Sequence, residues 1–512
     1  MKKYNVLQLF IAISLCFSLT ACSYQSRPNA EVKSLESASK TSFPKELKKF
    51  YTQKINWTSC DDKSSAECAK IIAPLNYDDP SGKTITLEAK KIKGKNPIGT
   101  LFVNPGGPGG SGIEFVSIYA NGLASNSVSD SYDIVGFDPR GVGKSTPVKC
   151  FTDKEMDKYR EESKPSVIDK SHEENVKDVQ DYAAKCEKTS GDIYKYINTI
   201  SVAKDLDIWR HLVGDNFLNY FGYSYGTSVG ATYIDLFPNN TGRIVLDGVV
   251  DTQISSAELQ YSQAKGFENA LNAFSKDCIE GKICPFKADT PEEVSKQIIE
   301  LLDNLGDEGL KSEDGRSVNT SIALQGIVAG LYNSDAYPVV REALEELIDL
   351  KKVDKLLSLA DQLSGRDEKG HYDNSNEALQ TVNNLDYSLE NLTDEEYKEF
   401  DAKIMKDAPN IGKFFVAQAE LIRYWPVKVP RVQGVKAEPK HKILIVGTEG
   451  DPATPYEMAV NVAKDINNSY LLTWKNFTHG AYGAGSSCIQ STVDKYLLTG
   501  KLPKKSGLVC EK

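Results

Sequence analysis

Histidine is scarce in this chain. Only five occur in 512 residues, so chemistry that needs an imidazole has few places to find one. There is no Cys-x-x-Cys pair and no histidine cluster near the cysteines, which argues against a zinc site. Positive charge is not in excess. The 61 Lys and Arg stand against 71 Asp and Glu, a net charge of −10, which argues against a nucleic-acid partner. The apolar run near the N-terminus, Val6 to Leu19, is too short for a comfortable membrane span. What remains is ordinary for a globular protein, with 40% hydrophobic and 26% charged residues and enough length for more than one structural unit.

The N-terminus reads as a targeting segment. Lys2 and Lys3 precede the apolar run, which ends in Leu19-Thr20-Ala21-Cys22 and resembles a bacterial lipobox. The resemblance implies removal of residues 1–21, a lipid on Cys22, and attachment to the outer face of the cell membrane. An ordinary secretory signal is the alternative. Residues 22–43 are rich in Ser, Glu, Lys and Ala, as suits a flexible tether. Export favours disulfides, and eight cysteines remain after Cys16 and Cys22: Cys60, Cys68, Cys150, Cys186, Cys278, Cys284, Cys488 and Cys510. They admit on the order of a hundred connectivities, of which nearest-neighbour pairing is the simplest.

The organising stretch is Asn219 to Gly230. Gly222-Tyr223-Ser224-Tyr225-Gly226 matches Gly-x-Ser-x-Gly, with a short strand before it and a helical pattern after. Glycine at both flanks lets strand and helix crowd together at a tight turn that lifts the serine hydroxyl into the open. Upstream, a strand over 100–104 runs into Pro105-Gly106-Gly107-Pro108-Gly109-Gly110-Ser111-Gly112. Gly107, Gly109 and Gly112 fit a dinucleotide fingerprint, but no acidic residue follows at the required distance. An oxyanion loop, with Gly107 or Gly106 supplying an N–H beside that of Tyr225, suits the later elbow better. Gly143-Lys144-Ser145 suggests a phosphate loop but lacks its first glycine. Asp138 and Arg140, on the same turn, read as a brace, paired with backbone or with each other.

Alternating strand and helix signals imply a mostly parallel sheet, opened by antiparallel strands over 67–74 and 84–91. The reading divides the chain into a first core part, 44–254, a helical cap, 255–430, and a second core part, 431–512. No strand run of note interrupts the cap. A buried run, Lys442 to Gly447, resumes the sheet, and Tyr470 to Trp474 reads as its last strand.

Elimination then works on the histidines. His172 and His371 lie in charged stretches, His211 sits within an amphipathic helix, and His441 lies at the foot of a strand. His479 alone follows a late strand and precedes a glycine. Asp451 sits just past a strand end, between glycine and proline; Glu449 is a rival with longer reach. The order Ser224, Asp451, His479 is that of α/β-hydrolase triads. Serine needs a base, histidine titrates near neutrality, and aspartate orients the imidazole. No metal or cofactor is required.

The stretches NPGGPGGSG (104–112), DIVGFDPRGVGKS (133–145), YFGYSYGTSVGATYIDLFP (220–238), RIVLDGVVD (243–251), ILIVGTEGDPATP (443–455), HGAYG (479–483) and SSCIQSTVDKYLLTGKLP (486–503) resemble the tripeptidyl aminopeptidase and proline iminopeptidase group of exported serine hydrolases, peptidase family S33. The match is strong outside the cap. It implies an α/β-hydrolase fold and release of short peptides from free N-termini, with a cap acid to hold the substrate ammonium. The iminopeptidase loop begins with histidine where this chain has Pro105, which favours the tripeptidyl side. Cleavage of esters or small amides by the same triad is the alternative, and a catalytically silent binding lipoprotein is a third reading.

Overall fold

A computed structural model describes residues 43–62, 64–281, 284–504 and 506–511. Residues 1–42, and with them the signal-like segment and Cys22, lie outside the described residues. Ten strands form one sheet: β1 (Thr58–Ser59), β2 (Glu67–Pro74), β3 (Thr84–Ile92), β4 (Thr100–Asn104), β5 (Asp133–Phe137), β6 (Leu218–Tyr223), β7 (Thr241–Asp247) and, after the helical region, β10 (Ile443–Thr448), β11 (Ser469–Trp474) and β12 (Leu508–Cys510). Their order is β1-β2-β3-β5-β4-β6-β7-β10-β11-β12. Pairings from β5 through β12 are parallel; β1 to β3 pair antiparallel, and β3 joins β5 antiparallel.

Alternation explains why the central strands read as unbroken apolar runs. In β10, Ile443 and Ile445 enter one core while Leu444 and Val446 enter the other. β4 and β7 divide in the same way, Phe102 and Ile244 on one face, Leu101 and Val245 on the other. Successive side chains point to opposite faces, and both faces are covered, so both must be apolar. The first face packs Trp209 from the helix Thr199–Leu212 and Val229 from the helix Tyr225–Leu236. The second packs Val116 and, from the helix Ser487–Thr499, Val493 and Leu497.

Between β7 and β10 the chain is mostly helical and has its own core, including Phe267, Leu271, Ile298, Leu302, Ile327, Val340 and Leu356. The helix Pro291–Asp303 starts as its sequence suggests, with Thr290 accepting the Glu293 N–H and proline in the first turn. This helical region reaches the carboxyl ends of the sheet strands. A Cβ on Gly266 would lie 2.3 Å from the Pro452 carbonyl oxygen, and one on Gly109 would lie 2.2 Å from that of Ser375.

Two expectations need correction. Tyr470 to Trp474 is not the last strand: β12 adds beside β11 through Leu472, Thr473 and Trp474. Three residues carry too little pattern to read as a strand, and the Cys488–Cys510 disulfide holds them there. The helical region also contains a two-residue hairpin, β8 (Leu310–Lys311) with β9 (Ser317–Val318). Disulfides further join Cys60 to Cys68, Cys150 to Cys186, and Cys278 to Cys284. Among the described residues no helix is long and apolar enough to cross a membrane.

Candidate active site

Ser224 sits between β6 and its following helix with φ 53° and ψ −127°. Such a left-handed serine costs roughly 1–3 kcal/mol and persists because its surroundings dictate it. Here the Ser224 N–H donates to the Asp247 carbonyl at 3.0 Å, and the Thr227 N–H and hydroxyl both donate to the Ser224 carbonyl. The glycine requirement is physical. A Cβ on Gly222 would lie 2.5 Å from the Gly226 carbonyl oxygen, and one on Gly226 would lie 2.9 Å from that of Asn104.

His479 and Asp451 meet at the same end of the sheet. His479 Nδ1 lies 2.9 Å and 3.0 Å from the two oxygens of Asp451. Asp451 is buried and also accepts from the N–H groups of Ala453, Thr454 and Gly480 and from the Thr454 hydroxyl. With both carboxylate oxygens turned to Nδ1, the ring proton is kept on that nitrogen, leaving Nε2 as an acceptor. Burial works against a charged imidazole, but the charge and hydrogen bond of Asp451, with Asp247 behind, raise the basicity of His479 above the ordinary value. Glu449, the rival acid, is exposed, and its N–H donates to Trp474.

The histidine loop packs against the serine elbow. A Cβ on Gly480 would lie 3.2 Å from the Tyr223 ring, and one on Gly248 would lie 3.3 Å from His479 Cε1. The helical region grips the same loop. His479 N–H donates to the Tyr332 carbonyl at 2.8 Å, Ser334 N–H donates to that of Phe477, and the Tyr332 ring stands edge-on to the imidazole. Ser224 Oγ and His479 Nε2 make no hydrogen bond among the described residues, so both remain available to a substrate.

The glycine-rich loop lies directly on the elbow. A Cβ on Gly106 would meet the Tyr223 carbonyl oxygen at 2.5 Å and the Tyr225 nitrogen at 3.0 Å. Of the two glycines considered as donors, Gly106 is ruled out. Its N–H already donates to Asn104 Oδ1 at 2.8 Å, so its contribution is closeness rather than hydrogen bonding. Gly107 is exposed, and Tyr225 opens a helix, where an N–H has no acceptor within the helix. Asp138 and Arg140 do not meet. Asp138 accepts from Ser111 Oγ and from the N–H groups of Ile113 and Lys144, anchoring the loop's far end. Arg140 forks onto Asp205 at 2.7 Å and 2.8 Å and caps the carbonyls of Pro74, Leu75 and Tyr196.

Two further carboxylates, to which the sequence pattern assigns no role, lie beside these groups. Asp247 ends β7, fully buried, and binds the histidine loop. Asp386 closes the helix Ser375–Asp386 and accepts from the Thr199 N–H and hydroxyl; that hydroxyl is 2.6 Å from the Tyr225 hydroxyl. Asp386 is part-exposed and makes no ion pair among the described residues, and burial pushes its carboxyl up to about 6. Glu268 and Glu377 likewise accept backbone N–H groups, and Glu390 accepts from Ser256 and Arg431. The partners of Asp247 and Asp386 come from residues far away in the chain. Among the described residues no group of His, Cys, Asp and Glu is arranged to hold a metal ion.

A mostly parallel sheet, helices on both faces, and a serine on a strand-to-helix elbow define an α/β-hydrolase-fold serine hydrolase. Residues 408–510 match the family model described as TAP-like protein. The chain is 34% identical over 482 residues to the serine protease Hip1 of Mycobacterium tuberculosis, covering 90% of this chain and 91% of that one. It is 33% identical over 467 residues to carboxylesterase B of the same species, covering 88% and 89%. It is 29% identical over 460 residues to the tripeptidyl aminopeptidase of Streptomyces lividans, covering 87% and 85%. The chain belongs to the tripeptidyl aminopeptidase-like family of serine hydrolases. The alignments run through the helical region as well, where no motif was legible.

Proposed function

We propose that this chain is an exported, lipid-anchored serine exopeptidase that releases short peptides, tripeptides foremost, from free N-termini. Ser224 Oγ attacks the scissile carbonyl while His479 Nε2 takes its proton. The N–H groups of Tyr225 and Gly107 hold the oxyanion. His479 returns the proton to the leaving amine, an acyl-enzyme remains on Ser224, and water activated by His479 releases it. The observation that carries this reading is the buried Asp451 gripping His479 Nδ1 at the end of the sheet where Ser224 is raised on its elbow.

Peptide substrates are supported by relatives named serine protease and tripeptidyl aminopeptidase. A free N-terminus is supported by Asp386, a part-exposed carboxylate that makes no ion pair among the described residues and is linked to Tyr225 through one hydroxyl. The lipid anchor is supported by the Leu19-to-Cys22 sequence. A relative named carboxylesterase B favours a second reading, ester cleavage by the same groups.

The test uses the mature soluble domain with free and N-acetylated tripeptidyl amides, single-residue amides and acyl esters, and Ser224→Ala as control. Cleavage of free tripeptidyl amides alone, lost in the variant, is the expected result. Cleavage of esters without amides would overturn the peptidase reading. For the anchor, the full chain expressed in a bacterium should take up labelled fatty acid, and Cys22→Ala should not; equal labelling of both would overturn it.

A further inference from the structure

Asp247 stands between the two halves of the site without belonging to the triad. Its backbone carbonyl accepts the Ser224 N–H at 3.0 Å. Its carboxylate accepts the Ala481 N–H at 3.0 Å and 3.1 Å and the Tyr482 N–H at 2.8 Å, just past His479. One residue thus binds the nucleophile's turn through its main chain and the base's loop through its side chain. Gly248, next in sequence, has φ 64° and only contact-distance room for a Cβ beside His479 Cε1 and Asp451 Oδ2, so the imidazole, Asp451 and the end of β7 share one tight space. The Tyr223 hydroxyl adds a further tie by donating to the Tyr482 carbonyl at 2.5 Å.

We propose that Asp247 is a positioning residue that holds the Ser224 elbow and the His479 loop in one frame and sets a second negative charge behind the imidazole. The proposal rests on the reading of His479 as the general base. The charged groups facing Asp247 are Asp451 and His479; the other titratable neighbours are the phenols of Tyr119 and Tyr223, both kept protonated by burial. Burial also pushes the Asp247 carboxyl up to about 7, with Asp451 adding to the rise and His479 and the two N–H donors opposing it. A carboxylate so placed is ionised most readily when His479 is protonated, and each group then stabilises the charge on the other. Asp451 fixes the tautomer through direct contact; Asp247 adds charge and loop geometry from one step further back.

The test is the pH profile of kcat/KM for Asp247→Asn, whose acid limb reports the imidazole in the free enzyme. Removing the charge should move that limb to lower pH, on the order of half a unit, and lower the plateau. A lowered plateau with an unmoved limb would show that Asp247 only shapes the loop, and would overturn the proposal. Asp247→Ser also removes the charge and fits the space, so either variant that folds can be read. The native enzyme gives an independent measure. Two groups that hold each other's charge bind protons anticooperatively, so the acid limb should be broader than that of one proton. A clean one-proton limb would count against the proposal. A native chain with no Ser224-dependent activity would end the catalytic reading itself, which is a different outcome.

Discussion

Both carboxylate oxygens of Asp451 lie within 3.0 Å of His479 Nδ1, and the carboxylate is shielded from water. Asp451→Asn keeps the shape but supplies an amide that can face Nδ1 with donors, so the imidazole is driven to the other tautomer. Activity should fall about 10³- to 10⁴-fold with the fold intact. Steady-state kinetics beside a circular-dichroism melt would check it; a loss under tenfold would return Glu449 to consideration.

Gly106→Ala tests the closeness of the glycine-rich loop to the elbow. The residue has φ 91°, and its Cβ would lie 2.9 Å from Ser224 Cβ. The loop or the elbow must shift, and a shift of about 1 Å at a reacting group costs on the order of 100-fold in rate. A near-normal kcat in a folded variant would show that the loop adjusts freely.

Asp386→Asn should lower kcat/KM for free tripeptidyl amides by roughly ten- to a hundredfold, the worth of a charge-assisted hydrogen bond. Poor substrates blocked by N-acetylation should be unaffected. Equal losses on free and blocked substrates would show that Asp386 serves only Thr199 and Tyr225.

Stability should decline from pH 5 to pH 8. Burial is the leading cause that pushes Asp215 and Asp386 up to about 6 and Asp247 up to about 7, from an ordinary value of 3.8. A carboxyl with a raised folded pKa contributes stability that is complete below its unfolded pKa and lost as pH rises through the folded one. The raised His479 acts in the same direction. Melting temperature across this range would check it; a rise toward pH 8 would contradict the sign.

Arg140→Met should destabilise the core by about 3–5 kcal/mol. It leaves the fully buried Asp205 without its counter-charge, with the Tyr77 hydroxyl still donating to it, and removes the donors for three carbonyls. Urea unfolding measured by tryptophan fluorescence would show it as a lower midpoint.

Much of the site was legible because its chemistry is written locally. A tight strand-to-helix turn demands glycine on both sides of Ser224, and that demand appears within five residues. Buried parallel strands must be apolar on both faces, so Lys442 to Gly447 stood out. With five histidines, position relative to strand ends singled out His479. Other features have no local signature. Asp247 lies 234 residues from Ala481, Asp386 lies 187 from Thr199, and Arg140 lies 65 from Asp205. The sequence by itself determined the fold class, the elbow and the order of nucleophile, acid and base, because backbone sterics and burial periodicity act between near neighbours. Only the tertiary structure decided which carboxylates surround the base, because those partnerships form where distant strands and loops are brought within hydrogen-bond reach.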